Sequence, residues 1–252
     1  MVGSGAAHEL DGLVNSLKST DLLRPVTVIG PSVYANLSLR HHFARTGLAN
    51  LRFLVMPKLA ELLGALALAG RKPLTPVLES ASVRAVSAQA SGMLGPIKDH
   101  PSTHQSLKTS FHQLRHASQE ALMKLGLQGG LQKEVVDLFR SFQRHTDDYY
   151  DREDLARAAV TAIKSGSAFG LSDLGYIIFF QVREVSPAER DLMEALLSQG
   201  QGAALIGITG DLEADAPAQA LASNLSSDRE LEEAQSACSD ASDTRLFFRH
   251  HR

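Results

Sequence analysis

The chain has 252 residues, of which 44% are hydrophobic and 21% charged, and its 25 Lys and Arg against 28 Asp and Glu leave a formal net charge of −3. That is enough chain for one large domain or two small ones with a buried core, and it excludes a bulk positive field for nucleic acid, so any DNA contact must be local. The single cysteine, Cys238, excludes an internal disulfide and suits a reducing compartment. With no apolar run near the ~20 residues of a membrane helix and no signal-peptide pattern over 1–20, a cytoplasmic protein is expected.

The chain opens on Gly3-Ser4-Gly5, followed by a helix expected over 7–17, where Leu10, Leu13, Val14 and Leu17 recur on one face. Glycine turns that open helices are where phosphate loops sit, because backbone N–H groups there point at anions. The strong form adds a lysine and a preceding strand. Neither is found here, which favours an ordinary helix start.

Next comes the stretch around which the rest is organised. Val26–Ile29 is a β-branched run suited to a strand buried on both faces. Gly30-Pro31 stops it, Ser32 caps a helix reaching about Arg45, and Gly47 ends that segment. A strand, a tight turn and a helix N-terminus form the edge at which open α/β sheets bind ligands. A second strand is expected over 51–56, closed by Pro57, and a helix over 58–69 with Leu59, Leu62, Leu63 and Leu66 on one side. This alternation predicts a parallel sheet with crossovers.

From 71 to 170 the β-branched runs give way to amphipathic helical patterns. Helices are expected over 76–89, 102–125, 131–145 and 151–164, the last opened by Asp151 and Asp154 as a capping-box variant. Together they read as a helical subdomain inserted into the α/β half. Strand character returns over 176–181. Ser186-Pro187-Ala188-Glu189 then has the N-cap serine, N1 proline and N3 glutamate of a helix start, and a further strand follows over 203–209. Residues 213–252 are rich in Ala, Ser, Asp and Glu and are expected to be mostly a mobile tail, with at most a short helix over 216–225 or 228–237. Its ending, Leu246-Phe247-Phe248-Arg249-His250-His251-Arg252, reads either as a docking peptide or as the arbitrary end of a truncated frame.

Other chemistry is thin. His100/His104 and His112/His116 have i,i+4 spacing, but neither pair has the His-Glu-x-x-His form, so they read as solvent-facing residues and no metal is expected. Asp151 and Asp154 suit a helix N-terminus better than a magnesium site. No Gly-x-Ser-x-Gly is present, and Cys238 has no base beside it, so no catalytic residue is assigned. Arg40, His41, His42 and Arg45 form a small basic cluster on the first crossover helix. With Ser32 it suits a phosphate backbone or, equally, a solvated helix face.

The order of several segments resembles the N-terminal part of AddB-like proteins, helicase-like subunits of bacterial helicase–nuclease complexes often described as PD-(D/E)XK nuclease family proteins. The resemblance runs over roughly 8–215. It is carried by Pro25-Val26-Thr27-Val28-Ile29-Gly30-Pro31-Ser32, Asn50-Leu51-Arg52-Phe53, Lys58-Leu59-Ala60-Glu61-Leu62-Leu63, Pro73-Leu74-Thr75, Tyr149-Tyr150-Asp151 with Glu153-Asp154-Leu155, Ser186-Pro187-Ala188-Glu189-Arg190, and Thr209-Gly210-Asp211. It implies a RecA-like (P-loop NTPase-like) parallel sheet with an all-α insertion: a first part over 1–70, the insertion over 71–170, a second part over 171–212 and the tail over 213–252.

The same resemblance implies that the ATP site is degenerate. The phosphate-loop position falls on Gly3 and Gly5 without the lysine. The metal and general-base positions fall on Phe180 and Gln181, and Asp211 is followed by Leu212-Glu213-Ala214 instead of a nucleotide-sensing glutamine. The single-strand-contacting turn of such helicases falls on Gly30-Pro31-Ser32-Val33-Tyr34-Ala35, where Ser32 keeps a hydroxyl and Tyr34 offers a ring to stack on a base; with Asn36, Arg40 and His41 of the same helix these form the candidate nucleic-acid-binding set. The family's nuclease domain would lie beyond Arg252. The expected role is a non-catalytic DNA-holding or partner-docking scaffold within a helicase–nuclease assembly for recombinational repair, with no cofactor and no membrane. A vestigial nucleotide-binding domain and a fragment without independent function are the alternatives.

Overall fold

The computed structural model describes residues 4–200, 202–208, 210–225, 231–235 and 244–249. They fall into two compact units, Met1–Ala69 with Arg152–Arg252, and Gly70–Asp151.

The first unit begins with helix α1 (Ser4–Ser19), which buries Leu10, Leu13, Val14 and Leu17 as its periodicity predicts. At its end Lys18 is only 1% exposed. Its ammonium donates to the carbonyls of Leu22 (3.3 Å), Arg24 and Ala49 (2.6 Å), which ties α1 to the segments that lead into the first two strands. Strand β1 (Val26–Ile29) is buried throughout, and helix α2 (Val33–Ala44) follows it. Strand β2 (Leu51–Leu54) is shorter than the expected 51–56, because helix α3 (Met56–Gly64) starts at Met56 with Pro57 in its first turn. A 3₁₀ turn, Ala65–Leu68, completes the segment.

The second unit carries strand β3 (Lys72–Pro73), helices α4 (Pro76–Ser87), α5 (Pro101–Leu114), α6 (Gln119–Leu127) and α7 (Gly130–His145), and strand β4 (Tyr149–Tyr150), which pairs in parallel with β3. Its core is Val83, Val86, Leu107, Phe111, Leu122, Leu138, Phe139 and Phe142. One long helix was expected over 102–125. The structure breaks it after Leu114, and Ser118 restarts the chain by accepting from the Ala121 N–H at 3.1 Å. Serine competes with a continuing helix by capping a new one.

The chain then returns to the first unit with helix α8 (Arg152–Lys164), a short helix α9 (Leu171–Leu174), strand β5 (Tyr176–Phe180), helix α10 (Pro187–Ser198) and strand β6 (Gly202–Gly207). The α10 start is the anticipated capping box: Glu189 N–H donates to Ser186 Oγ at 3.3 Å, and Ser186 N–H to Glu189 Oε2 at 3.1 Å. The expected insertion ran to 170, but α8 belongs to the first unit. Its Ala156 and Ala159 share a core with Leu59, Ala60 and Leu63 of α3, because small side chains let the two helices approach closely. A Cβ on Gly64 would lie 2.4 Å from the Leu155 carbonyl oxygen. Gly64→Ala is therefore expected to force the helices apart and cost about 1–3 kcal/mol, measured as a lowered denaturant midpoint with an unchanged slope.

Within the expected mobile tail, the short helix anticipated over 216–225 is present as the later part of a longer helix, whereas 231–235 is a strand and not part of a helix over 228–237. Helix α11 (Leu212–Leu225) buries Ala218, Leu221, Ala222 and Leu225, an i, i+3, i+4, i+7 stripe long enough to dock. Strands β7 (Leu231–Gln235) and β8 (Thr244–Arg249) pair antiparallel with each other, and β8 pairs antiparallel with β6, from Ala203↔Arg249 to Gly207↔Arg245. Leu246 to Arg249 of the chain's ending thus lie in a strand, and His250, His251 and Arg252 lie outside the described residues. Cys238 and Thr209 lie outside the described residues.

The sheet order is β2-β1-β5-β6-β8-β7, and β2, β1, β5 and β6 are mutually parallel. Alternating strand residues feed two cores, because successive side chains point to opposite faces. Val26, Val28, Tyr176, Ile178, Phe180, Ala203 and Leu205 pack on α1 and α2. Ile29, Ile177, Phe179, Ala204 and Ile206 pack on α3, α8, α10 and α11. This is a mixed α/β architecture with helices on both faces of the four parallel strands, and two antiparallel strands extend the sheet beyond β6. Among the described residues, no helix is long and apolar enough to cross a membrane.

Candidate nucleic-acid interface

From β1 the chain runs outward in both directions, to β2 on one side and, much later, to β5 on the other. The turn after β1 therefore lies beside the reversal point of the sheet order, at the carboxyl ends of its strands. Gly30 N–H donates to the Leu54 carbonyl at 3.0 Å, which holds the ends of β1 and β2 together. Ser32, in extended backbone, caps α2 by accepting from the Ala35 N–H at 3.1 Å.

Four of the five residues implied for nucleic-acid contact are exposed there: Ser32, Tyr34, Arg40 and His41. Tyr34 presents its ring from the first turn of α2 with 83% of its surface open. Residues 34 and 41 are seven apart, so they share a helix face about 10 Å long. The neighbouring His42 is drawn away from this face by Asp11 of α1 at 2.8 Å.

Asn36 is the exception. Only 7% exposed, it turns inward and donates Nδ2 to the Leu54 carbonyl at 2.7 Å, while its Oδ1 is buried without a hydrogen-bond partner. A Cβ on Gly30 would lie 1.9 Å from that oxygen, so the absence of a side chain at Gly30 makes room for Asn36. Asn36 is a clasp across the ends of β1 and β2 and is not a surface contact. Beside it, Val33, Asn36, Leu37 and Arg40 of α2, Phe53 and Leu54 of β2, and Val55 and Lys58 at the start of α3 enclose a groove of about 300 Å³. Sequence reading missed this groove, although Val33, Leu37 and Arg40 repeat on one helix face and signal it.

The residues at the implied nucleotide positions have local structural work. Gly3 lies outside the described residues, and Gly5 is in the first turn of α1. Phe180 is buried under α1 and α2. Gln181 ends β5 with φ 54° and donates its N–H to the Leu205 carbonyl at 2.8 Å, and its side-chain amide lies against Gly207. Asp211 Oδ1 caps α11, accepting from Glu213 N–H at 2.9 Å and Ala214 N–H at 3.1 Å. Phenylalanine offers a metal no oxygen, and a glutamine amide takes up no proton near neutral pH.

In the second unit, His100 Nδ1 caps α5 by accepting from the Ser102 N–H, and His104 meets the Lys98 carbonyl at 2.8 Å. His112 pairs with Glu79 at 2.8 Å. Compared with protein-family models and with curated proteins, the chain matches no family model and no curated protein.

Proposed function

We propose that this chain is a non-catalytic, RecA-like, helicase-like domain of a DNA end-processing and recombinational repair protein. In this reading, the first turn of α2 holds single-stranded DNA. What carries the reading is the open Tyr34 ring at a strand-to-helix turn, with Arg40 and His41 farther along the same helix. An aromatic face accepts any base, and a basic helix surface follows the phosphates. The parallel sheet with helices on both faces supports the RecA-like assignment. Phe180 and Gln181, at the positions where an ATP-driven relative would need a metal ligand and a base, support a holding role over a motor.

Titration of fluorescein-labelled oligo(dT) tests this reading. Binding is expected at low salt and to weaken log-linearly as salt rises, by about 0.7 per phosphate contacted. Tyr34→Ala, at so exposed a position, is expected to leave the thermal melt unchanged while weakening binding by about 5- to 100-fold, the worth of one stacked base. Equal affinity of Tyr34→Ala and the parent chain, or no binding at low salt, would overturn the proposal.

A further inference from the structure

The groove beside α2 has a property that a single-strand-holding surface does not need: it runs along an open sheet edge. Strand β2 is an outer strand, and no strand pairs with its far side among the described residues. The Asn50 and Leu54 carbonyls point inward, to the Val26 and Gly30 N–H groups. Strand alternation therefore turns the N–H and C=O groups of Leu51 and Phe53 outward. Such a row of backbone groups is a template for an added strand. Alongside it lies an apolar floor, Phe53, Leu54 and Val55, walled by Val33 (67% exposed) and Leu37 (49% exposed). The charges around it have one sign, with Arg40 and Lys58 in the lining and Arg52 exposed on the strand itself. Among described partners only Lys58 has a neighbouring carboxylate, Glu61 at 3.0 Å, and that pair is exposed.

We infer that the β2 edge docks an extended acidic peptide of a partner protein, which adds as a further strand and places one apolar side chain in the groove. Main-chain hydrogen bonds supply affinity in this mode, and the pocket supplies selection. The charge pattern decides the occupant. Two copies of β2 paired edge to edge would set Arg52 near its own counterpart, and like charges across strands destabilise a ladder. Flanking carboxylates meet Arg40, Arg52 and Lys58 instead. A medium aliphatic residue fits a 300 Å³ groove that is open on one side.

The test uses the whole chain and an array of synthetic heptapeptides in which the central residue (Gly, Val, Leu, Phe) and the number of flanking Asp and Glu are varied. Retention is expected to rise with the number of carboxylates and to favour Val or Leu at the centre. Two changes are each expected to weaken it about tenfold or more: alternate N-methylation of the peptide backbone, and Leu37→Gln in the protein. Leu37→Gln is expected to keep its thermal melt and its oligo(dT) affinity, and Tyr34→Ala to keep its peptide binding, so loss of the DNA reading would leave this one standing. The inference is overturned if no peptide is retained at about 1 mM. It is also overturned if N-methylation changes nothing, or if the chain dimerises through β2 and excludes the peptides.

Discussion

Gly175→Ala is expected to be the most damaging single-methyl change in the protein, lowering stability by about 4 kcal/mol or more. Gly175 follows α9 with φ 61° and ψ −136°, a backbone state open to glycine and strained for any other residue. A Cβ there would also lie 2.0 Å from the Pro25 carbonyl oxygen and 2.6 Å from its carbon, which are backbone atoms with no rotamer to move. The same carbonyl accepts the Tyr176 N–H at 3.0 Å and so starts the β1–β5 ladder. Relief of the clash would therefore open the pairing at the centre of the sheet. Against a total of roughly 5–15 kcal/mol, such a loss leaves little reserve. The expected readout is a melting temperature lower by about 10 °C, or failure to accumulate in soluble form. Gly12→Ala is the control. A methyl group on Gly12, on the exposed face of α1, would meet no atom within 4 Å, so helix propensity alone acts and stability should rise by about 0.5–1 kcal/mol. If both variants melt together with the parent chain, the close approach at Pro25 is not real.

The second large effect is at Lys18. Lys18→Met keeps the aliphatic stem and removes the ammonium, leaving the Leu22, Arg24 and Ala49 carbonyls short of a donor. The three acceptors belong to exposed residues and the bonds are only part-buried, so water replaces some of the lost bonding and the expected loss is about 1–2 kcal/mol at neutral pH. Its pH dependence has a definite sign. Burial pushes the Lys18 ammonium below its ordinary value of 10.5, and Asp21 only partly restores it. Between the lowered folded value and 10.5, the unfolded chain binds more protons than the folded one, so stability rises with pH across that window. The contribution of this shift is fully present above 10.5 and is lost as pH falls through the folded value. Denaturant titrations at neutral pH and near pH ~10 check both points. The advantage of the parent chain over Lys18→Met should widen at the higher pH. A constant gap would mean that Lys18 titrates as a free lysine.

The four parallel strands were legible because short apolar runs bounded by Gly and Pro leave few alternatives, and the α10 start because its capping box is entirely local. Where the sequence misled, the deciding contact was distant or competed locally. Ser118 interrupts a continuous amphipathic pattern by offering a better cap. Helix α8 carries a pattern that suits either unit, and only the alanine contacts with α3 assign it to the first. After 212 the stripe of Ala218, Leu221, Ala222 and Leu225 is enough to suggest the helix over 216–225, but the Ala-, Ser-, Asp- and Glu-rich composition hides the strands at 231–235 and 244–249. At the candidate site, the exposure of Tyr34, Arg40 and His41 follows from their polar or basic character on a crossover helix. The inward turn of Asn36 does not follow in that way, since it depends on the hydrogen that Gly30 carries in place of a side chain. Lys18 is the sharpest case: a lysine at the end of an amphipathic helix is normally solvated, and nothing nearby in sequence announces three carbonyls converging on it.

The central ladder joins strands far apart in the chain, as the Thr27 hydroxyl donating to the Leu174 carbonyl 147 residues away shows. During synthesis, β1 and β2 emerge early and stay without their neighbour until the ribosome has released the β5 segment, Tyr176–Phe180. Closing so long a loop makes sheet assembly slow and late. The Gly70–Asp151 helices, whose contacts are local, are free to fold in the meantime. For that interval the β5-facing edge of β1 is open in addition to the outer edge of β2, so the nascent chain offers two strand edges on which another chain can pair.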